Sequence, residues 1–235
     1  MNILVNGGSL SRGPGSWPYV IGSALEANIV NLSLAGSGNT YVHETTIAEL
    51  AQRQYDLVLI QWTPFLRFDF KVKDINQFDN TIFTSKYQRS QNDWPEKVIE
   101  PINDQDYVEP NWIFGCGVAA NNDPDPTLND AFGGFYRYCG PSEQMYHSVM
   151  KIVSLQSFLK LRGIPHLSVF GRHFRIPSRF SYLSALIDWD LVYTDHYILN
   201  IAEQSQSWDL DGLHPSSTAY AEFAERILPK IRSLL

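Results

Sequence analysis

Short apolar runs alternate with amphipathic stretches through the N-terminal part of the chain. Ile3, Leu4 and Val5 form an unbroken apolar run and predict a buried strand. A turn rich in Gly and Pro follows, and then the spacing predicts a helix over 17–26 with Ser16 as its N-cap. Further on, the pattern predicts a strand over 29–32, a glycine turn over 36–39, a helix over 40–54 and a strand over 57–60. Strands alternating with helices of this length predict parallel βαβ units, and continuously apolar strands fit a sheet covered on both faces.

From Pro64 to about Pro141 neither the strand period nor the helix period persists. Aromatics, Asn, Asp and Pro are dense there, and 121–126 reads Asn-Asn-Asp-Pro-Asp-Pro, a turn or loop. An aperiodic stretch of this length inside a compact domain points to a functional elaboration. We therefore expect an insertion over about 65–140, a lid or substrate-binding elaboration, within a single domain spanning 1–235. Regularity returns with a helix over 142–162, which Gly163 ends as a C-cap. A fourth strand is expected over 166–170, a short fifth over 191–193, and a closing amphipathic helix over 215–234 with Ala219, Phe223, Ile227 and Ile231 on one face.

Composition narrows the partners. The 235 residues suffice for one sizeable core, and 44% hydrophobic with 18% charged is an ordinary globular balance. A net charge of -7 without a basic cluster argues against nucleic acid as a partner. Cys116 and Cys139 are too few for a disulfide framework; they read as free thiols, with pairing as the alternative. No Cys and His spacing suggests zinc, and no metal or cofactor is expected. The start, Met1-Asn2 before Ile3-Leu4-Val5, lacks the basic beginning and long apolar run of a signal peptide. No stretch approaches the roughly 18 apolar residues of a spanning helix. A cytoplasmic location without membrane insertion is the expectation.

The candidate chemistry sits at strand ends. Ligands of an open parallel sheet bind beyond the carboxyl ends of its strands. Gly7-Gly8-Ser9-Leu10-Ser11 lies just past the first strand, where glycines let the backbone turn tightly and a serine can face the crevice. Nearby backbone N–H groups at a helix start suit an anion. Near the far end of the chain, Asp211-Gly212-Leu213-His214-Pro215 precedes the last helix. A carboxylate three residues before a histidine can fix the ring that takes a serine proton, and Pro215 suits the first turn of that helix. Singly, each motif is an ordinary turn or helix start; in this order, at opposite ends of the chain, they support one another.

A Gly-x-Ser-x-Ser motif after the first strand, a glycine turn after the second and Asp-x-x-His-Pro before the last helix resemble the SGNH (GDSL-like) hydrolases. The resemblance runs from end to end outside the insertion. It implies a three-layer α/β/α sandwich with a central parallel sheet, flavodoxin-like in type, and metal-free hydrolysis of esters, often acyl esters of carbohydrates or lipids. It implies Ser9 as nucleophile, His214 as base and Asp211 as its partner. Ser9 and Gly36 would then supply oxyanion N–H groups, with Gly38 as a nearby alternative to Gly36. The implied substrate is a small-molecule or glycan ester, O-acetyl above all. An acyltransferase with the same triad and a catalytically degenerate carbohydrate-binding or assembly protein are the rival readings.

Two positions depart from the family pattern. Gly7-Gly8-Ser9 stands where Gly-Asp-Ser is usual. After the third strand, Gln61-Trp62-Thr63-Pro64-Phe65-Leu66-Arg67 replaces Gly-x-Asn-Asp, whose asparagine donates to the oxyanion. A Trp-Thr with a following arginine resembles a branch associated with bacterial surface-polysaccharide loci. Asn39, Gln61 or Thr63 are the candidate replacement donors, and Asn39 fits a cap of the second helix equally well. Trp62, Thr63 and Arg67 are the candidate substrate-binding residues. Arg67, Arg172 and Arg175 fit either an acidic sugar or surface ion pairs. Trp94, Trp112, Phe114, Phe132, Phe135, Tyr136 and Tyr138 fit sugar stacking or a satellite core. Ser11 reads as loop support, and His166 as a structural residue at a core strand.

Overall fold

A computed structural model describes residues 1–65, 67–72, 111–115, 140–173, 176–210, 212 and 214–235. The N-terminal apolar runs become β1 (Asn2–Asn6), β2 (Asn28–Asn31) and β3 (Leu57–Trp62), separated by α1 (Trp17–Ala24) and α2 (Asn39–Gln52). Beyond the insertion come α3 (Pro141–Leu161), β6 (His166–Phe170), α4 (Ser181–Ser184), β7 (Val192–Tyr193), α5 (Ile198–Ser205) and α6 (Ser217–Arg232). β1, β2, β3, β6 and β7 form one parallel sheet in the order β2-β1-β3-β6-β7. Ile3 lies beside Leu57 and Val5 beside Leu59 in the β1–β3 register.

The strands are apolar on both sides, and their alternation feeds two cores. Ile3, Val5, Leu57, Leu59, Leu167 and Val169 face Trp17 and Ile21 of α1, Ile198 and Ile201 of α5, and Phe223, Ile227 and Ile231 of α6. Leu4, Val58, Ile60, Trp62 and Phe170 face Val42 and Leu50 of α2 and Val149, Ile152, Leu155 and Leu159 of α3. This period of two, with helices on both faces, makes the three-layer α/β/α sandwich. Fully burying one such aliphatic side chain contributes roughly 1.5–3 kcal/mol.

Several boundaries move from their expected places. α1 ends at Ala24, because Glu26 takes a left-handed φ of 50°. β3 runs on through Gln61 and Trp62. Pro215 does not open α6; it forms an isolated antiparallel bridge with Trp208. Ser216 is the N-cap instead, its hydroxyl accepting the Ala219 N–H. α5 was not foreseen, although Ile198, Ile201 and Ala202 carry a helical spacing and are buried. The insertion is not irregular throughout: β4 (Phe68–Val72) and β5 (Asn111–Gly115) pair antiparallel as a second sheet. The candidate stacking residues Trp94, Trp112, Phe114, Phe132, Phe135, Tyr136 and Tyr138, together with Cys116, Cys139 and Arg175, lie outside the described residues or the described side chains. Among the described residues, no helix is long and apolar enough to cross a membrane.

Candidate functional site

The sheet reverses direction of travel at β1: the chain moves outward to β2, then returns to place β3 on the other side. A crevice opens at such a switch point, beyond the carboxyl ends of the strands. Asn6 closes β1 there. Its buried amide donates to the Val42 carbonyl at 3.1 Å and to the Thr45 and Thr46 hydroxyls at 2.8 and 2.9 Å, and its oxygen accepts the Gly7 N–H. A Cβ on Gly7 would stand 2.8 Å from Gln61 Cβ and 2.9 Å from its carbonyl oxygen, so only glycine passes. The Gly8 N–H donates to Gln61 Oε1 at 2.9 Å, tying the turn to β3.

Ser9 opens a short 3-10 turn, Ser9–Ser11, and is half-buried. Ser11 is fully buried: its hydroxyl accepts the Trp17 indole N–H at 3.0 Å and its carbonyl accepts the Asn31 amide at 2.7 Å. Ser11 therefore braces the loop, and Ser9 is the more exposed of the two serines.

The loop after β2 is stitched to the same turn. The Leu34 N–H and the Ser37 hydroxyl both donate to the Gly7 carbonyl at 3.0 Å. Gly36 has φ 83°, a left-handed conformation that favours glycine. The Gly38 N–H donates to Asp69 Oδ2 at 2.8 Å, which commits the alternative oxyanion glycine elsewhere. Asn39 begins α2 and is 3% exposed. Its carboxamide closes on Thr63, accepting the Thr63 N–H at 2.9 Å and hydroxyl at 3.0 Å while donating to the Thr63 carbonyl at 3.1 Å. Asn39 is thus a clamp between α2 and the end of β3.

Of the three candidate substrate-binding residues, Thr63 and Arg67 both stand against Gly8, and Trp62 turns away into the core. Trp62 shares its face with Val58 and Ile60, is 1% exposed, and donates its indole N–H to the Ser168 hydroxyl. Strand alternation turns it into the core, which corrects its expected place at the substrate. Thr63 is buried and held by Asn39. Arg67 is half-buried, and its Nη1 lies 3.4 Å from where a Cβ on Gly8 would be. The two departures from the family pattern, at Gly8 and after β3, therefore meet in space. Gln61 is buried, and its amide nitrogen donates to the Trp62 carbonyl at 2.7 Å.

His214 comes from the other end of the chain. Its loop is a narrow ribbon closed by the Trp208–Pro215 bridge, the Asp209 N–H to His214 carbonyl bond at 2.8 Å, and Ser216 N–H to Ser207 carbonyl at 3.0 Å. The Gly212 N–H turns back onto the Asp209 carbonyl, with Gly212 at φ 65°. Phe223 packs edge-on against Trp17, the first residue of α1, and against Tyr193, the last of β7. Both neighbours stand at the carboxyl edge of the sheet. His214 is half-buried; Asp211 lies outside the described residues.

Asp69 is the residue at this edge that sequence reasoning missed. It is 7% exposed and accepts the Gly38 and Tyr41 N–H groups at 2.8 and 2.9 Å. Burial pushes its carboxyl above the ordinary carboxylate range, against the pull of those N–H groups, Thr40 and Lys151. No local signal marked it, since one acid in an aperiodic stretch looks like loop polarity. Arg172 pairs with Glu203 at the surface. Among the described residues, no group of three or more His, Cys, Asp or Glu is placed to hold a metal ion.

No protein-family model matches the chain, and no curated protein matches it in sequence. Solved structures do match in shape. TesA superposes with a TM-score of 0.53 at 15% identity, covering 100% of both chains. The psychrotrophic esterase EstA from Pseudoalteromonas sp. gives 0.49 at 13% identity over 99% of this chain and 97% of its own. A protein assigned as an SGNH hydrolase from Slackia heliotrinireducens gives 0.47 at 13% identity over 98% of each chain. The chain shares the fold of TesA, a three-layer α/β/α arrangement with a parallel five-stranded sheet flanked by helices.

Proposed function

We propose that the chain is a serine esterase that cleaves a small acyl ester through an acyl-serine. Its substrate class is an O-acetyl ester on a carbohydrate. The observation that carries the reading is the position of Ser9. It opens a braced turn at the switch point of a parallel sheet. Rigid support of this kind is what a nucleophile needs to attack with little reorganisation.

In this mechanism His214 takes the Ser9 proton as the hydroxyl oxygen adds to the ester carbonyl, and Asp211 orients the imidazole. The N–H groups of Ser9 and Gly36 hold the oxyanion. Collapse expels the alcohol, which takes its proton from His214. Water then adds to the acyl-serine with the same ring as base and frees the acid. A sugar hydroxyl in place of water makes the same intermediate an acyl donor.

Hydrolysis of p-nitrophenyl acetate by the wild type beside Ser9→Ala and His214→Ala tests the reading, together with labelling by a fluorophosphonate. Activity and labelling that vanish with Ser9→Ala are the expected result. Equal rates in wild type and Ser9→Ala would sink the nucleophile assignment. A wild type inert to both probes would sink the esterase reading and favour a glycan-binding role for the same fold.

A further inference from the structure

Acyl transfer at Ser9 calls for donors aimed at the developing oxyanion, and several of the described donors near the β1–β3 junction are already engaged. Asn39 and Thr63 are engaged with each other by three hydrogen bonds. Gln61 accepts from Gly8 and donates to the Trp62 carbonyl. The Gly38 N–H is held by Asp69. Arg67 stands differently. Its guanidinium Nη1 abuts Gly8, the residue just before Ser9, at 3.4 Å from the point a Cβ would take. Gly8 carries no side chain, so no atom of that kind separates the guanidinium from the turn that carries Ser9.

The backbone that presents Arg67 is held firmly. Its N–H closes a turn onto the Pro64 carbonyl at 2.9 Å. Its carbonyl oxygen lies 3.1 Å from where a Cβ on Gly38 would be, so this segment packs directly on the loop that carries Gly36. A guanidinium offers five N–H donors and keeps its charge at any pH of interest. Such a group beside the nucleophile suits an oxygen that becomes negative only during reaction.

We propose that Arg67 donates a side-chain hydrogen bond to the oxyanion formed at Ser9, an inference that rests on the esterase reading above. As the Ser9 oxygen bonds to the carbonyl carbon, the carbonyl π pair moves onto oxygen and the serine proton goes to His214. Arg67 keeps all its protons and gains its contact only at that stage. When the π bond re-forms, the alcohol leaves with the His214 proton and the guanidinium contact weakens.

The test compares wild type, Arg67→Ala and Arg67→Lys on p-nitrophenyl acetate, which is neutral, and on an acidic ester, p-nitrophenyl hemisuccinate. The expected result is a fall of about 100-fold or more in kcat for Arg67→Ala on the neutral ester, with KM nearly unchanged. Arg67→Lys keeps part of the rate, and millimolar guanidinium restores part of it to Arg67→Ala. Urea unfolding of each variant separates this from misfolding, and Arg67→Lys carries the test if the alanine variant does not fold. A loss confined to KM for the acidic ester overturns the proposal and makes Arg67 a substrate-anion contact. An unchanged kcat with a Ser9-dependent wild type overturns this inference alone. A wild type inert to ester and fluorophosphonate overturns the esterase reading and this inference with it.

Discussion

Asp69 caps a helix it does not belong to: from β4, its carboxylate takes the N–H of Gly38, the residue that precedes α2, at 2.8 Å. Gly38 has no side chain with which to cap α2 itself, and no local side chain does so. The open N–H groups at a helix start need an acceptor, and the positive end of the helix dipole favours a carboxylate there. The insertion thus holds the loop that carries Gly36.

Asp69→Ala leaves two N–H groups at a buried helix start without their acceptor. We expect a stability loss of roughly 2 kcal/mol, read from the urea midpoint, with Asp69→Asn losing less because it keeps an acceptor oxygen. The pH dependence has a definite sign. Burial raises the carboxyl above its ordinary 3.8, so the folded state holds this proton to higher pH than the unfolded chain. Its contribution is full below 3.8 and declines as pH rises through the raised value. Wild-type stability measured against Asp69→Asn therefore falls as pH rises from the acid side toward neutrality.

Asn39→Ala should disturb the end of β3. It strands the Thr63 N–H, hydroxyl and carbonyl, all of which now bond to one carboxamide. Each buried unpaired group costs about 1–3 kcal/mol, so a loss of at least roughly 2 kcal/mol is expected in urea unfolding. Asn39→Asp keeps the acceptor and loses the donor, and its loss should fall between wild type and Asn39→Ala.

Gly171 and Leu10 form a steric pair beside Ser9. A Cβ on Gly171 would lie 2.5 Å from Leu10 Cδ1. Gly171→Ala must push Leu10, and with it the turn of Ser9, at a cost of about 1–3 kcal/mol. Adding Leu10→Ala should recover part of that cost. A double-mutant cycle without coupling would contradict this packing.

His166 should act as an acid-side weak point. It is 4% exposed; its Nδ1 lies 2.9 Å from the Ile164 carbonyl, and Nε2 is buried without a partner. Burial pushes the imidazole below its ordinary 6.5, helped by nearby Lys160. The unfolded chain then binds the proton first as pH falls. The stability contribution is present above 6.5 and lost as pH drops through the folded value. His166→Asn, whose amide can take over the bond to Ile164, should show a shallower loss of urea midpoint on acidification. His43, also pushed down by burial, is common to both proteins and cancels in the comparison.

The order of strands and helices was legible because burial on two faces leaves unbroken runs such as Ile3-Leu4-Val5 and Leu57-Val58-Leu59-Ile60. The glycine turns after β1 and β2 were legible for a related reason: a close approach at Gly7 and a left-handed φ at Gly36 demand glycine. Pro215 misled, because proline suits a helix start and a bridge residue alike, and the Ser216 hydroxyl settled which. The strands β4 and β5 escaped notice because a small sheet in an aromatic-rich segment shows little alternation.

By itself, the sequence determined the βα alternation, the two apolar faces of each core strand and the chemical types available at the two ends of the chain. These follow from local periodicity and turn chemistry, which neighbouring residues decide among themselves. Only the tertiary structure decided the order β2-β1-β3-β6-β7, the turning of Trp62 into the core and the standing of Arg67 against Gly8. It also decided that Asp69 would cap α2 across 31 positions of chain. Those outcomes depend on which distant groups find each other's hydrogen bonds and volumes once the core closes, and no local pattern encodes that choice.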